Sequence, residues 1–307
     1  MLIHQVLVSL LMWWSEKNSN TQLQTLLAHG DMTQQALLSD LLGLMDEASA
    51  IAREYYRKAD ELDVIKKGDS TPLTEADTAL HHLITGHLRS MAIGLPVLSE
   101  ESNPEEIAAR HSWKACWIID PLDGTKEFIE KTEQFTINVS LVIEGRAELG
   151  IISIPCLHEH WVGIVGNGAA IFSEGKGLSG RAVKTQAYIP PNPLVMLASH
   201  RHAPKRVEAL MSSLTGSFGE VHRLNSGSAV KFCDVVSGAA DVYPRTSPCS
   251  EWDVAAGDAL VRAAGGSVTD REGHQILYNQ RESLLAQPFV AAADPMIDFA
   301  QIIFADR

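Results

Sequence analysis

The 307-residue chain reads as an α+β protein on three observations. Helical patterns with an apolar residue every third or fourth position dominate the first ninety residues. Residues 134–175 instead alternate strand-like runs with glycine-containing turns, and beyond residue 190 short helices and strands take turns. With 45% apolar residues, a chain of this length can bury a large core, either as one domain or as two packed lobes.

The opening MLIHQVLVSLLMWW is too short, and too interrupted by His4 and Gln5, for a membrane span. It also lacks the basic start and small-residue cleavage site of a secretory signal. Residues 1–31 are an extension of uncertain structure: a membrane-surface segment, an unstructured extension and a helix packed on the domain all stay open. The break at HGD makes Met32 an alternative translation start to Met1; an intact mass beginning at Met1 rejects it.

From Thr33 to Lys58 the spacing predicts a long helix with Leu37, Leu38, Leu41, Leu42, Met45, Ala48, Ile51 and Ala52 on one face. A second helix follows from about Thr74 to Leu88, after the turn-rich GDSTP, in which Pro72 biases Thr71 away from helical geometry. LPVLSEES reads as a short strand ending in acids, and ACWIID as a buried strand ending at Asp120. FTINVSLVIEGRAELGIISIPCLHEHWVGIVGNGAAIFSEG predicts antiparallel hairpins. LVMLAS, EVHRL and ADVYPR then read as strands, RVEALMSSL and SAVKFCDVVSGA as helices, and EWDVAAGDALVRAAGG as a helix beginning near Asp253 and stopped by Gly265 and Gly266. Around YIPPNP the pattern divides a lobe at 32–188 from a C-terminal lobe at 189–307.

Lys and Arg number 25 against 38 Asp and Glu, a net charge of −13, and no long basic block offers a track for a nucleic-acid polymer. A small anionic substrate is still compatible, because metal ions or a local positive pocket can hold it. The four cysteines form no close pair and no zinc-like spacing, which favours a reducing compartment. Nothing in the chain implies an obligate protein partner.

The chemistry gathers in WIIDPLDGTKEF at 117–128. A strand that bends at Pro121 lets Asp120 and Asp123 address one hard cation, with the Leu122 carbonyl as a further oxygen donor. Taken alone, DPLDG is also compatible with a solvated turn whose aspartates cap the next segment. Asp77 in LTEAD, Glu100 and Glu101 in VLSEE, and Asp253 in EWDVAAG also sit at element ends, and oxygen-only ligands select Mg²⁺ or Mn²⁺. A helix starting after Gly124 would turn the N–H groups of Gly124 and Thr125 toward a phosphate, although Gly124 is equally a turn glycine and Thr125 equally a cap. No GxxxxGK[ST] or GxGxxG is present, and GNGAAIFSEGKG reads as hairpin turns.

Four stretches in this order, DSTPLTEAD at 69–77, LSEE at 98–101, WIIDPLDGTKEF and EWDVAAGDALVRAAGG, resemble the lithium-sensitive, magnesium-dependent phosphatase family that includes inositol monophosphatase. GTKEF, GSAVKFCDVVSGAADVYPR and YNQRESLL are most similar to its 3'(2'),5'-bisphosphate nucleotidase branch, of the bacterial CysQ type. The resemblance covers residues 35–292 and implies a layered αβαβα sugar-phosphatase fold. It also implies removal of the 3'-phosphate from 3'-phosphoadenosine 5'-phosphate, with the 5'-phosphosulfate as a related substrate. Glu100, Asp120 and the Leu122 carbonyl would then hold one Mg²⁺, and Asp120, Asp123 and Asp253 a second. Asp77 and Thr125 would orient and activate the attacking water, and the Gly124–Thr125 backbone would hold the phosphate. Gly227 and Ser228 would approach the ribose or the 5'-phosphate, and Lys231 would meet that phosphate unless it is a surface or ion-paired lysine. His200, beside Arg201 and His202, would reach base or phosphate unless it merely caps its strand. Trp117 and Trp252 read as core supports. Inositol monophosphatase or fructose-1,6-bisphosphatase activity is the alternative within the family, and a non-catalytic nucleotide or metal sensor the alternative outside it. The branch also implies a cytoplasmic enzyme, with peripheral attachment to the inner face of the inner membrane as an open variant.

Overall fold

The structure, a computed structural model, describes residues 21–61, 72–198 and 204–304. Helices α1 (Thr21–His29), α2 (Gln34–Glu61) and α3 (Pro72–Ser90) cover one face of a seven-stranded sheet. Its strands are β1 (Val97–Ser99), β2 (Ala115–Asp123), β3 (Thr136–Ile143), β4 (Arg146–Ile154), β5 (Glu159–Ile164), β6 (Gly168–Ser173) and β7 (Gly180–Val183), and they lie side by side in chain order. From β2 onward every neighbour is antiparallel, as short connections require. Only β1 and β2 run parallel, and the crossover between them holds the short helix α4 (Pro104–Ala109).

A second sheet of five strands has the order β11-β12-β10-β8-β9, built from β8 (Leu194–Ala198), β9 (Val221–Asn225), β10 (Val242–Arg245), β11 (Ser267–Thr269) and β12 (Phe289–Ala292). Helices α7 (Val230–Ser237) and α8 (Ala255–Ala263) fill the space between the two sheets. Helices α6 (Pro204–Phe218) and α9 (Phe299–Phe304) close the far side of the second sheet. The result is five layers, αβαβα, with apolar cores between them.

Both faces of the first sheet are covered, and this explains why ACWIID is apolar throughout instead of alternating. Trp117 and Ile119 face the outer helices, while Cys116 and Ile118 face the middle ones. The middle helices come unusually close. A Cβ on Gly150 of β4 would lie 2.1 Å from the Ala256 carbonyl oxygen, and one on Gly163 of β5 2.5 Å from Leu260 Cα. These two glycines seat α8 on the sheet and so set where the turn preceding it, with Asp253, comes to lie.

All seven of Leu37, Leu38, Leu41, Leu42, Met45, Ala48 and Ala52 are buried and Ile51 is half-buried, so the α2 face is the one its periodicity predicts. Of the three options for residues 1–31, residues 21–29 form a packed helix, with Leu23 and Leu27 buried. The apolar opening with Trp13 and Trp14 lies outside the described residues. Among the described residues no helix is long and apolar enough to cross a membrane. The hairpin block runs one strand further than its sequence suggests, into β7, and β11, β12 and α9 carry too short a pattern to be read in advance.

Candidate active site

The strand predicted to end at Asp120 continues to Asp123, through a bulge. The register passes from Asp120 opposite Asn138 to Asp123 opposite Thr136, so Pro121 and Leu122 together oppose one residue of β3. In a regular strand, side chains three positions apart face opposite sides of the sheet. The extra residue restores the phase, and both aspartates point to the same side, where Asp253 meets them. Asp120 is 1% exposed and accepts the Leu122 N–H at 3.0 Å. Asp123 Oδ2 accepts from Thr136 Oγ1 at 3.3 Å and Asn138 Nδ2 at 3.2 Å. The Leu122 side chain is buried among the outer helices.

Asp253 arrives from the middle layer, on the turn that opens α8 and packs on β2 and β3. It ends a 3₁₀ turn, Glu251–Asp253, and α8 begins two residues later, slightly beyond the predicted start. Its carboxylate accepts the Ser250 N–H at 2.8 Å in a capping box. Asp120, Asp123 and Asp253 each place a carboxylate oxygen within 4.8 Å of the others. Glu100, one residue past β1, lies beside Asp120 and Trp252. Asp77, on the first turns of α3, lies beside Glu100 and Glu101. That helix packs on the short helix α5 (Thr125–Ile129), whose first residue is the exposed Thr125; no hydrogen bond joins Asp77 to Thr125.

Three full negative charges within 4.8 Å repel each other by at least about 3 kcal/mol per pair at an effective dielectric of about 20. The carboxyl groups register this. Complete burial and then Asp123, Glu100 and Asp253 hold Asp120 well above the usual range. Asp253 is pushed up to about 7 by burial and Asp123. Burial followed by Glu101 and Glu100 lifts Asp77 to about 7. Burial also raises Asp123, against the pull of Lys231 and the Asn138 amide. An all-oxygen cluster with unbalanced charge is the donor set of a hard divalent cation, and a bound cation would reverse these shifts.

The acids open onto a cavity of about 200 Å³. Asp123 and Asp253 line it together with Lys126, Lys231 and Arg245, and Phe232, Tyr243 and Phe289 add apolar surface. Gly124, at φ +92°, makes the turn into α5 in a region that only glycine enters without strain, and a Cβ there would touch Ser228 Cβ at 3.0 Å. Ser228 also lines the cavity, with its hydroxyl donating to the Gln134 carbonyl at 2.6 Å. Gly227 is not in the lining; its close approach is to the Glu127 side chain, and its N–H donates to Gln134 Oε1. Lys231 is no surface lysine, and among the described residues it forms no ion pair. It is 5% exposed, donates to the Ser228 carbonyl at 2.5 Å and the Ser226 carbonyl at 3.4 Å, and is pulled down to about 8 by burial. His200 lies outside the described residues.

Reading the sequence alone missed Arg245, and gave Lys126 no role, although both stand inside quoted motifs. It also missed Thr136 and Asn138, which hold Asp123. Three polar residues spaced by two on a wholly buried strand, Thr136, Asn138 and Ser140, were the available signal, since they share one face.

The inositol monophosphatase family matches residues 34–297 of this chain. The 3'(2'),5'-bisphosphate nucleotidase CysQ of Escherichia coli K12 is 36% identical over 253 residues, covering 82% of this chain and 98% of that protein. A CysQ crystal structure from Bacteroides thetaiotaomicron, described as a bacterial member of the inositol monophosphatase family, superposes with a TM-score of 0.74 at 32% identity, over 84% of this chain and 97% of that one. Inositol monophosphatase II of Staphylococcus aureus shares the fold at 18% identity and a TM-score of 0.68, over 88% and 92% of the two chains.

Proposed function

Since the chain belongs to the inositol monophosphatase family, we propose that it is a Mg²⁺-dependent hydrolase that removes the 3'-phosphate from 3'-phosphoadenosine 5'-phosphate, giving AMP and phosphate. The related 5'-phosphosulfate is a second substrate of the same form. The observation that carries this reading is the meeting of Asp120, Asp123 and Asp253 at the mixed-charge cavity, in a chain over a third identical to a bisphosphate nucleotidase along nearly all of that protein's length.

Glu100, Asp120 and the Leu122 carbonyl would hold one cation, and Asp120, Asp123 and Asp253 a second. When bound, the cations act as Lewis acids that lower the pKa of a coordinated water and neutralise phosphoryl charge. Thr125 and Asp77, on adjoining helices, orient that water and accept its proton. The water oxygen bonds to phosphorus, the bond from phosphorus to the ribose 3'-oxygen breaks, and that oxygen leaves with a proton as the AMP hydroxyl. Thr136 and Asn138 keep Asp123 in its ligating orientation, and the Gly124–Thr125 N–H groups hold the phosphoryl oxygens. The four cysteines are all free, which fits a cytoplasmic setting.

Phosphate release from 3'-phosphoadenosine 5'-phosphate and from inositol 1-phosphate, at matched Mg²⁺, tests the reading. Faster turnover of the nucleotide is expected; faster turnover of the inositol phosphate overturns it.

A further inference from the structure

Glu100 is held differently from the other acids of the site. Asp120, Asp123 and Asp253 accept hydrogen bonds directly on their carboxylates, from a bulged strand, from its neighbour and from a capping box. Glu100 is exposed, on the turn Ser99–Ser102 that follows β1. That turn closes on itself: the Ser102 N–H donates to the Ser99 carbonyl at 3.0 Å, and the Ser99 N–H to the Ser102 hydroxyl at 3.0 Å. On one side the Glu100 N–H donates to the Ile119 carbonyl at 3.3 Å, which ties the turn to β2 just before Asp120.

On the other side stands α3. His81, one turn beyond Asp77 on the same face of that helix, shares a hydrogen bond of 2.9 Å between its Nδ1 and the Ser99 hydroxyl. Thr85, a further turn along, brings its hydroxyl to 3.4 Å from the same nitrogen. Ser99 is buried, and its hydroxyl also accepts the Glu101 N–H at 3.3 Å. One buried oxygen thus joins α3 to the residues on both sides of Glu100. The link acts against repulsion, because Glu100 and Glu101 lie beside Asp77 and like charges push the turn away from the helix. A ligand on an untethered turn must be ordered as the cation binds, and that ordering weakens binding.

We infer that His81 is a positioning residue of the site: through the Ser99 hydroxyl it fixes Glu100 against Asp77, so that a cation ligand and the acid that accepts the water proton keep their spacing. The ring acts by the reach of Nδ1 and transfers no proton itself. The other contact between α3 and the crossover after β1, Arg89 with Glu106, lies in the last turn of the helix and leaves Arg89 exposed, so it has no such role. This assignment rests on the hydrolase reading above and names what holds the Glu100 cation site together.

The experiment is Mn²⁺ binding followed by electron paramagnetic resonance, without substrate, in wild type, His81→Ala, His81→Asn, His81→Gln, Arg89→Gln, Glu100→Gln and the double variant His81→Ala with Glu100→Gln. The side-chain amide of Asn ends as many bonds from Cα as Nδ1 does, whereas that of Gln reaches to the place of Nε2. His81→Ala and His81→Gln should therefore weaken the site that Glu100→Gln abolishes by about tenfold, the size typical of a lost ligand-orienting partner, and His81→Asn by no more than about twofold. Arg89→Gln should match wild type, and the double variant should bind no more weakly than Glu100→Gln alone. Recovery in the Asn variant, which has no proton to exchange, separates positioning from acid–base work. Unchanged Mn²⁺ affinity in His81→Ala, or losses that add in the double variant, would overturn the role of His81. Should His81→Ala fail to fold, the Asn and Gln variants still decide, since they differ in reach and not in polarity. The hydrolase reading fails separately, if wild type binds Mn²⁺ and releases no phosphate from 3'-phosphoadenosine 5'-phosphate.

Discussion

Glu251 and Asp253 share one 3₁₀ turn, and burial lifts both carboxyls to about 7, yet their surroundings are opposite. Glu251 accepts the Asn279 N–H at 2.7 Å and has the Arg281 guanidinium 3.7 Å away. Asn279 in turn exchanges hydrogen bonds with the buried Arg110, donating from Nδ2 to the Arg110 carbonyl and accepting from its Nη1. Asp253 instead shares its space with Asp120 and Asp123. A raised pKa therefore does not separate architecture from chemistry, since burial alone produces it. The partners do. An acid among donors holds the fold together, and an acid among acids is built for a cation.

The contrast can be broken most sharply at the acid cluster. Asp123→Asn keeps the shape and removes the anion, so Mg²⁺-dependent phosphate release should fall by about 10³-fold or more with the thermal midpoint unchanged or higher. Wild-type turnover in that variant would remove Asp123 from the metal role. On the architectural side the balance reverses. Arg110→Ala strands the Asn279 side chain and two loop carbonyls, and should cost about 3–5 kcal/mol in urea unfolding, with loss of activity only through loss of folded protein.

Metal removal gives a smaller effect that still discriminates. Restoring Mg²⁺ to chelator-treated protein should stabilise it by about 1–3 kcal/mol, and by much less in Asp253→Asn, whereas Arg110→Ala should keep the full response. The smallest expected change concerns pH. Asp258, fully buried on α8 beside Arg262, is raised to about 6 chiefly by burial. Its unfolded value is lower, about 3.9, so the folded state binds the proton more tightly. Its contribution to stability is thus present below about pH 4 and lost as pH rises through 6. Wild type should lose at most roughly 3 kcal/mol relative to Asp258→Asn between pH 4 and 7, read from paired urea midpoints. A gap that widens in favour of wild type over that window would refute the assignment.

Much of the acid side was legible in the chain. WIIDPLDGTKEF reads as strand, bend and helix start because each step depends on neighbours in sequence: an apolar run, a proline, a glycine at positive φ. Even there, the strand end was misplaced, since a bulge keeps pairing partners beyond Pro121 that no local pattern announces. The cationic residues of the cavity were legible only in part: resemblance singled out Lys231, and nothing singled out Arg245 or Lys126. Arg245 ends an ordinary strand, and Lys231 lies on a helix where its neighbours alone could not show that it points inward to two carbonyls.

What the amino-acid order determined by itself was periodicity and donor chemistry: which helix faces are apolar, and that the candidate ligands are all oxygen. Which of those groups share a cavity was decided only when α8 settled onto Gly150 and Gly163 and brought Asp253 to the bulge of β2. Hydrophobic patterning acts over a few residues, whereas a charge cluster depends on how whole layers stack, and the stacking is set by side-chain volume at contacts far apart in the chain.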